Sequence, residues 1–283
     1  MIGILAYTWS RPAPAGPGTH RVVLWVASRD MCGRYANSHS RTELVQAFGI
    51  DERYADPELP ADFNVAPTKL SPVVLSRPPR DVDDPDPPEP VRQLRNLVWG
   101  LVPSWAKDPK IGSRMINARA ETVSEKPAFR AAFAKRRLVV PVSGFYEWFP
   151  TQQIGRGGKP VKQPFYITPR GDGPLALAGL YEFWRDPARP PGDEDAWLTT
   201  FTIITTSSTD DLGRIHERMP MSIAEENWTD WLDPGNNDPA EIQQLMSAPP
   251  AGSLDIYAVS TLVNNVRNNG PELTEPLAEE AHP

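Results

Sequence analysis

From Leu138 to Thr206 the chain carries one β-patterned segment after another with no helix-length pattern between them, and this limits the fold more than any other feature. Leu138 to Trp148 alternates apolar and polar residues, and Gly155-Arg156-Gly157-Gly158-Lys159-Pro160 is a turn leading into Phe165-Tyr166-Ile167. Leu175 to Trp184 and Trp197 to Thr206 are rich in apolar and β-branched residues. Two short helices, around Glu225 to Leu232 and Ala240 to Met246, precede a strand at Leu254 to Val259. Without regular βαβ alternation the sheet cannot be parallel and doubly wound. The expectation is an α+β fold, one mixed and mainly antiparallel domain without repeats.

The first half supplies the helical part. Ser40-Arg41-Thr42-Glu43 reads as a capping box opening a helix that turns Leu44, Val45, Ala47 and Phe48 inward and stops at Gly49. A strand pattern runs from about Val91 to Val102. Ser124 is placed to cap a helix whose Phe129, Ala132 and Phe133 form one apolar stripe. Between these, Pro78 to Pro90 is too acidic and proline-rich for helix or sheet and reads as a mobile loop.

Charge narrows the partners. The net charge of −7 argues against nucleic acid, but it is unevenly spread. Val91 to Arg137 holds eleven Lys/Arg against three acids, a balance of +8, whereas the stretch from Asp81 to Pro90 has five acids. After Gly270 come Glu272, Glu275, Glu279 and Glu280. A basic centre with acidic loops fits a local phosphate-binding groove, although Lys135, Arg136 and Arg137 also read as a solvated helix face. No apolar run is long enough to span a membrane. The first thirty residues lack a basic start followed by a sustained apolar core, which argues against a signal peptide.

Cys32 is the only cysteine, which excludes an intramolecular disulfide framework and a cysteine-rich zinc site. It points to a cytoplasmic protein, nucleoid-associated if bacterial, with no metal or cofactor. It also stands directly behind an internal methionine. If translation starts at Met31 and the methionine is trimmed, Cys32 becomes the first residue, with an α-amine and a thiol that both reach one carbonyl carbon. An α-amine titrates near ~8, so a useful fraction is neutral and nucleophilic at physiological pH. Otherwise a lone cysteine is a small buried hydrophobe.

Met31-Cys32-Gly33-Arg34-Tyr35 resembles the start of the SOS-response-associated peptidase family, also called abasic-site processing proteins. Further blocks follow in that family's order: Asn64-Val65-Ala66-Pro67-Thr68, Trp99-Gly100-Leu101-Val102-Pro103-Ser104-Trp105, Asn117-Ala118-Arg119-Ala120-Glu121-Thr122, Gly144-Phe145-Tyr146-Glu147-Trp148 and Ile215-His216-Glu217-Arg218-Met219-Pro220. Asn264-Asn265-Val266-Arg267-Asn268-Asn269-Gly270 completes the series. The resemblance covers Met31 to about Leu273. It implies a compact barrel-like β core flanked by helices, over 31–273, with 1–30 outside the family pattern and 274–283 an acidic tail.

The resemblance also implies a function: recognition of abasic sites in single-stranded DNA and a covalent thiazolidine crosslink through Cys32. Carried over residue by residue, Cys32 is the nucleophile, Asn117 orients it, and Glu147 and His216 move protons. Arg34 and Arg119 are the best phosphate anchors, because guanidinium grips phosphate in a bidentate fork. Either is equally suited to an ordinary ion pair, Arg119 for instance with Glu121. Asn64, Pro67, Trp99 and Trp105 are candidates to contact, stack on or wedge beside unpaired bases, the tryptophans being equally suited to a core. Lys126 stands in for a basic residue that the family often has near Pro127. The protein is expected to be a monomer.

Two departures matter. Thirty residues precede Cys32, and an acylated amine cannot form the imine, so either Met31 is the true start or the leader is cleaved by Cys32 itself. The first is preferred, since this leader is far longer than one removable methionine. Two competing functions remain: a cysteine peptidase with His216 as base, and a non-covalent single-stranded-DNA-binding protein.

Overall fold

The computed structural model describes residues 32–79, 88–155, 157–208, 212–213 and 215–278. The segment before Cys32, most of the acidic proline-rich stretch, and Glu279 and Glu280 lie outside the described residues.

Twelve strands are described: β1 (Tyr35–Asn37), β2 (Asp62–Val65), β3 (Leu70–Arg77), β4 (Val91–Trp99), β5 (Asn117–Arg119), β6 (Arg137–Val142), β7 (Gly144–Ile154), β8 (Pro160–Pro169), β9 (Leu175–Arg185), β10 (Trp197–Ser207), β11 (Arg218–Pro220) and β12 (Leu254–Ala258). Strands β10, β4, β3, β6 and β9 pair in that order, and β9 pairs again with β10, closing a five-stranded barrel. Its one parallel seam is β4 with β10, where Val98 lies opposite Thr200. Farther along the same strand, β5 pairs in parallel (Asn117 opposite Ile203) and β11 antiparallel (Met219 opposite Thr206). The second sheet, β12-β8-β7-β1-β2, is antiparallel throughout. The α+β, barrel-like expectation is therefore met, with long-range pairing supplying the closure.

Alternation along the barrel strands divides the core. Val74, Val139, Ala178, Leu180 and Ile204 pack against helices α1 (Arg41–Ala47), α2 (Arg130–Lys135), α3 (Trp228–Leu232) and α4 (Pro239–Gln244). The opposite set, including Val73, Leu75, Leu138, Val140, Leu177, Phe201 and Ile203, packs with Cys32, Tyr35, Phe145 and Ile167. Gly179 lets β9 lie close to both neighbours. A Cβ there would meet the Leu138 side chain at 2.5 Å and the Thr202 carbonyl at 2.8 Å.

Local expectations fare unevenly. The capping box is present, with Glu43 N–H donating to Ser40 Oγ and the Ser40 N–H to the Glu43 carboxylate. Leu44, Val45 and Phe48 are buried, but Ala47 faces out. Leu138 to Trp148 is two strands, broken at Ser143. The first, β6, is buried on both faces, so alternation of outward polar residues does not describe it. Ser124 caps no helix among the described residues: turns occupy 123–129, and α2 begins behind Phe129 without a side-chain cap.

Arg137 is not on a solvated helix face but buried at the start of β6. Its Nε donates to Trp231 O, its Nη1 to Phe133 O and Ala134 O, and its Nη2 to Asp233 O and Asn236 O, at 2.5–2.9 Å. The fork thus ties the ends of α2 and α3 together, satisfying orphan helix carbonyls. Burial lowers its pKa to about 10.

Candidate active site

Cys32 lies just before β1, and β1 pairs with β7 so that Tyr35 faces Phe145 and the Tyr146 N–H donates to Arg34 O. Since strand residues two apart share a face, Phe145 and Glu147 point to the Cys32 side while Tyr146 and Trp148 point away. That register brings Glu147 to Cys32. The Glu147 carboxylate accepts hydrogen bonds from both the Cys32 backbone N–H and its thiol. Its Oε1 is buried without a hydrogen-bond partner among the described residues.

Both groups are buried, and their titration follows from that. Desolvation pushes the Glu147 carboxyl well above its ordinary value of 4.5, the bonds from Cys32 only partly opposing it. Burial, reinforced by the neighbouring Glu147 charge, raises the Cys32 thiol well above its ordinary value. A carboxyl whose pKa burial raises, beside a sulfur and a nitrogen, is suited to moving protons between them. Asn117 holds the other side of the cysteine, its Nδ2 donating to Cys32 O at 3.0 Å.

His216 is half-buried, and its neighbours Leu212 and Ile215 join the apolar cluster of Cys32. His216 Nδ1 lies 3.1 Å from both the backbone N–H and the backbone carbonyl oxygen of Arg218, and its tautomer decides which of the two it bonds. No hydrogen bond joins His216 to Cys32 or Glu147 among the described residues. Cys32, Asn117 and Glu147 are thus in contact, and His216 stands at the periphery.

Arg34, just before β1, turns to the Trp148 side of β7, its guanidinium over the Trp148 ring at 5.7 Å. Nη1 donates to Asn64 Oδ1 (2.7 Å) and Val263 O (2.9 Å), whereas its buried Nε has no acceptor. Among the described residues no carboxylate pairs with it, and burial lowers its pKa. Asn64 is correspondingly not a DNA contact. It is fully buried, and its Nδ2 donates to the carbonyls of Val263, Asn265 and Asn268. It positions Arg34 and the segment behind it.

Trp99 is likewise corrected. It has no exposed surface, sits between Tyr35 and Phe201, and donates its indole N–H to Ile116 O, so no base reaches it. Trp105, 59 % exposed, remains available for stacking. Pro67 is half-buried in a turn whose next residue, Thr68, has φ +74°, a strained conformation for a β-branched residue. Arg119 and Lys126 are exposed.

The basic stretch splits in two. Arg95 pairs with Asp56, Arg136 with Glu182, Arg92 donates to Phe48 O and Thr229 Oγ1, and Arg137 is buried. Lys107, Lys110, Arg114, Arg119, Lys126, Arg130 and Lys135 are exposed. Glu121 pairs with Arg218, not Arg119: Arg218 Nη2 donates to Glu121 Oε2 at 3.0 Å, with a second bond from Nη1. Arg218 escaped the sequence reading although it stands two residues after His216. Trp148 escaped it too, though it adjoins Glu147. Among the described residues no group of three or more His, Cys, Asp or Glu side chains is placed to hold a metal.

Comparison with known proteins places this geometry. The model of the SOS response associated peptidase (SRAP) family matches residues 31–266. The abasic site processing protein YoqW of Bacillus subtilis is 38 % identical over 245 residues, covering 87 % of this chain and 99 % of that one. The abasic site processing protein HMCES of Pongo abelii is 34 % identical, covering 87 % of this chain and 76 % of that one. Among solved structures, a protein from Bacteroides thetaiotaomicron superimposes with a TM-score of 0.67 at 24 % identity, covering 87 % of this chain and all of that one, and so shares the fold.

Proposed function

The chain belongs to the SOS response associated peptidase family, and from that premise we propose that it processes abasic sites in single-stranded DNA by becoming covalently attached to them. One observation carries this reading. The nitrogen and the sulfur of Cys32 both donate to a single buried carboxylate, Glu147. With residue 31 removed, that nitrogen is an α-amine. The ring-opened abasic sugar presents an aldehyde, and the amine adds to its carbon. Glu147 takes a proton from the nitrogen and returns one to the departing hydroxyl, so that water leaves and an imine remains. The thiol sulfur then adds to the imine carbon while its proton passes to the nitrogen, closing a thiazolidine ring. The sum is aldehyde plus aminothiol giving thiazolidine plus water.

Asn117, bonded to Cys32 O, holds the nucleophile in place. His216, anchored through Nδ1 to the Arg218 backbone, protonates the sugar ring oxygen as the ring opens. Arg34, Arg119, Lys126, Pro67 and Trp105 hold the strand. Mature protein begins at Cys32, with Met31 as the start of translation, a reading supported by a family match that begins at Met31. Autocatalytic removal of a leader and slow strand scission from the imine are secondary activities of the same cysteine.

The test is incubation of single-stranded DNA bearing one abasic site with the Met31-start protein and with a form retaining 1–30, followed by heating and denaturing electrophoresis. The trimmed form should give a heat-stable shifted band and the blocked form none. Equal crosslinking by an intact leader-bearing protein, verified by mass, would overturn thiazolidine chemistry. The intact mass of protein made from the natural gene identifies the form that exists.

A further inference from the structure

Most of the last family block, Asn264 to Asn269, together with the three residues before it forms a segment, 261–269, whose inner side is pinned and whose outer side is bare. Val263 is fully buried and anchors it. Beneath it, Arg34 and Asn64 donate to the carbonyls of Val263, Asn265 and Asn268. At its edges Trp148 Nε1 donates to Asn264 Oδ1 at 2.6 Å, and Asn269 bonds to Ala61 O and to the Phe63 N–H. Within it, Asn268 Nδ2 donates to Leu262 O, and the Arg267 N–H to Asn265 Oδ1. Irregular backbone held this firmly has already lost the conformational freedom that binding would otherwise remove.

Its outer side carries Leu262 (53 % exposed), Val266 (47 % exposed) and the exposed side chain of Arg267, which has no ion pair among the described residues. Two bare aliphatic side chains four residues apart, beside an unpaired cation, match an unpaired base and its phosphate. The segment is continuous with Trp148 and the unpaired Arg34, and hence with the face of β7 behind Glu147. Glu272, folded back over Gly270, bounds this surface with negative charge.

We propose that 261–269 is a preorganised contact for the single strand on one side of the lesion, with Leu262 and Val266 against a base and Arg267 on a phosphate. This rests on the function proposed above and adds to it a surface and a polarity. Affinity for single-stranded DNA carrying a reduced, non-reactive abasic analogue would be measured by fluorescence anisotropy at two salt concentrations. The full-chain protein, Arg267→Ala and the double variant Leu262→Ser/Val266→Ser would be compared, on strands shortened from either end.

Arg267→Ala should weaken binding several-fold and reduce the salt slope by about 0.7, the value for one single-strand phosphate. The serine pair should weaken binding with the slope unchanged. Both effects should vanish when the strand is shortened on one side of the lesion and persist when it is shortened on the other. Unchanged affinity and slope in every variant overturns the contact, as does a loss indifferent to which end is shortened. A wild-type protein that binds single strands without crosslinking removes the functional reading but leaves this comparison intact. One that binds no single strand overturns both.

Discussion

Arg137, buried, and Arg34, half-buried, show how differently this molecule treats the same side chain. Arg137 makes five hydrogen bonds to backbone carbonyls at the ends of α2 and α3. Arg34 uses one nitrogen twice, leaves its buried Nε without an acceptor, and has no carboxylate partner among the described residues. The contrast extends to their surroundings. Around Arg137 helix ends are tied and aromatic rings packed, with its guanidinium over Trp231. Around Arg34 lie Trp148, Asn64 and the Val263 carbonyl, and on the other face of β7 are a carboxylate with an unmatched oxygen and a thiol whose pKa burial raises. The Arg137 guanidinium spends all its nitrogens on holding the fold, whereas Arg34 and Glu147 each keep a buried polar atom unused among the described residues.

If that division is right, damage on one side abolishes chemistry and on the other stability. The largest effect belongs to Cys32→Ala, which should eliminate the heat-stable adduct while shifting the urea midpoint little. Schiff-base chemistry from the remaining α-amine should nick the strand slowly, but a durable product at the wild-type level would assign the reaction to another nucleophile. Next is Arg137→Met. Five carbonyls lose their donor at once, and since each stranded buried group costs about 1–3 kcal/mol, the variant should lose several kcal/mol or fail to fold. A soluble variant with the wild-type urea midpoint would break the comparison outright.

Much of this architecture was legible beforehand, for reasons that can be located. Strands β8, β9, β10 and β12 carry local signals, β-branched and apolar runs between turn residues, and α1 has its capping box. Barrel closure does not, because it depends on Val98 and Thr200 meeting across a hundred residues of sequence. The contact between Cys32 and Glu147 was readable only as roles attached to motifs. Its geometric cause, the register of Tyr35 on Phe145, is a pairing that no window of sequence contains. Trp99 and Asn64 misled because their types suit both a base and a core, and burial alone decides. Glu121 was offered the nearer arginine, whereas its partner Arg218 arrives from β11 through β10.

Smaller effects sharpen the division. Glu147→Gln should slow crosslinking by up to ~10²- to 10⁴-fold without preventing it. It also has a signature in stability. The folded-state pKa of Glu147 lies above the unfolded value, so the proton's contribution is complete below the ordinary value of 4.5 and is lost as pH rises through the raised one. In the leader-bearing protein, wild-type stability relative to Glu147→Gln should fall across that window, by at most about 1.4 kcal/mol per pH unit. Urea titrations at several pH values would reveal it, and a flat difference would mean that the carboxyl is not buried in solution. The smallest effect is that of Arg119→Ala. It should lose affinity a few-fold with a shallower salt dependence, leaving rate at saturation and stability unchanged. A lost rate with intact affinity would move Arg119 from the strand to the chemistry.

Strand β10 has a consequence in time as well as in space. It is the strand on which β4, β5, β9 and β11 all converge, and β5 carries the asparagine that grips the Cys32 carbonyl. On a ribosome adding roughly 5–20 residues per second, β10 emerges many seconds after the cysteine does. Until then β5 has no edge to lie on, and the cysteine has no assembled cradle. The reactive residue is among the first made and its catalytic surroundings among the last. A truncated or stalled chain would therefore present a thiol but not the machinery that directs it to DNA.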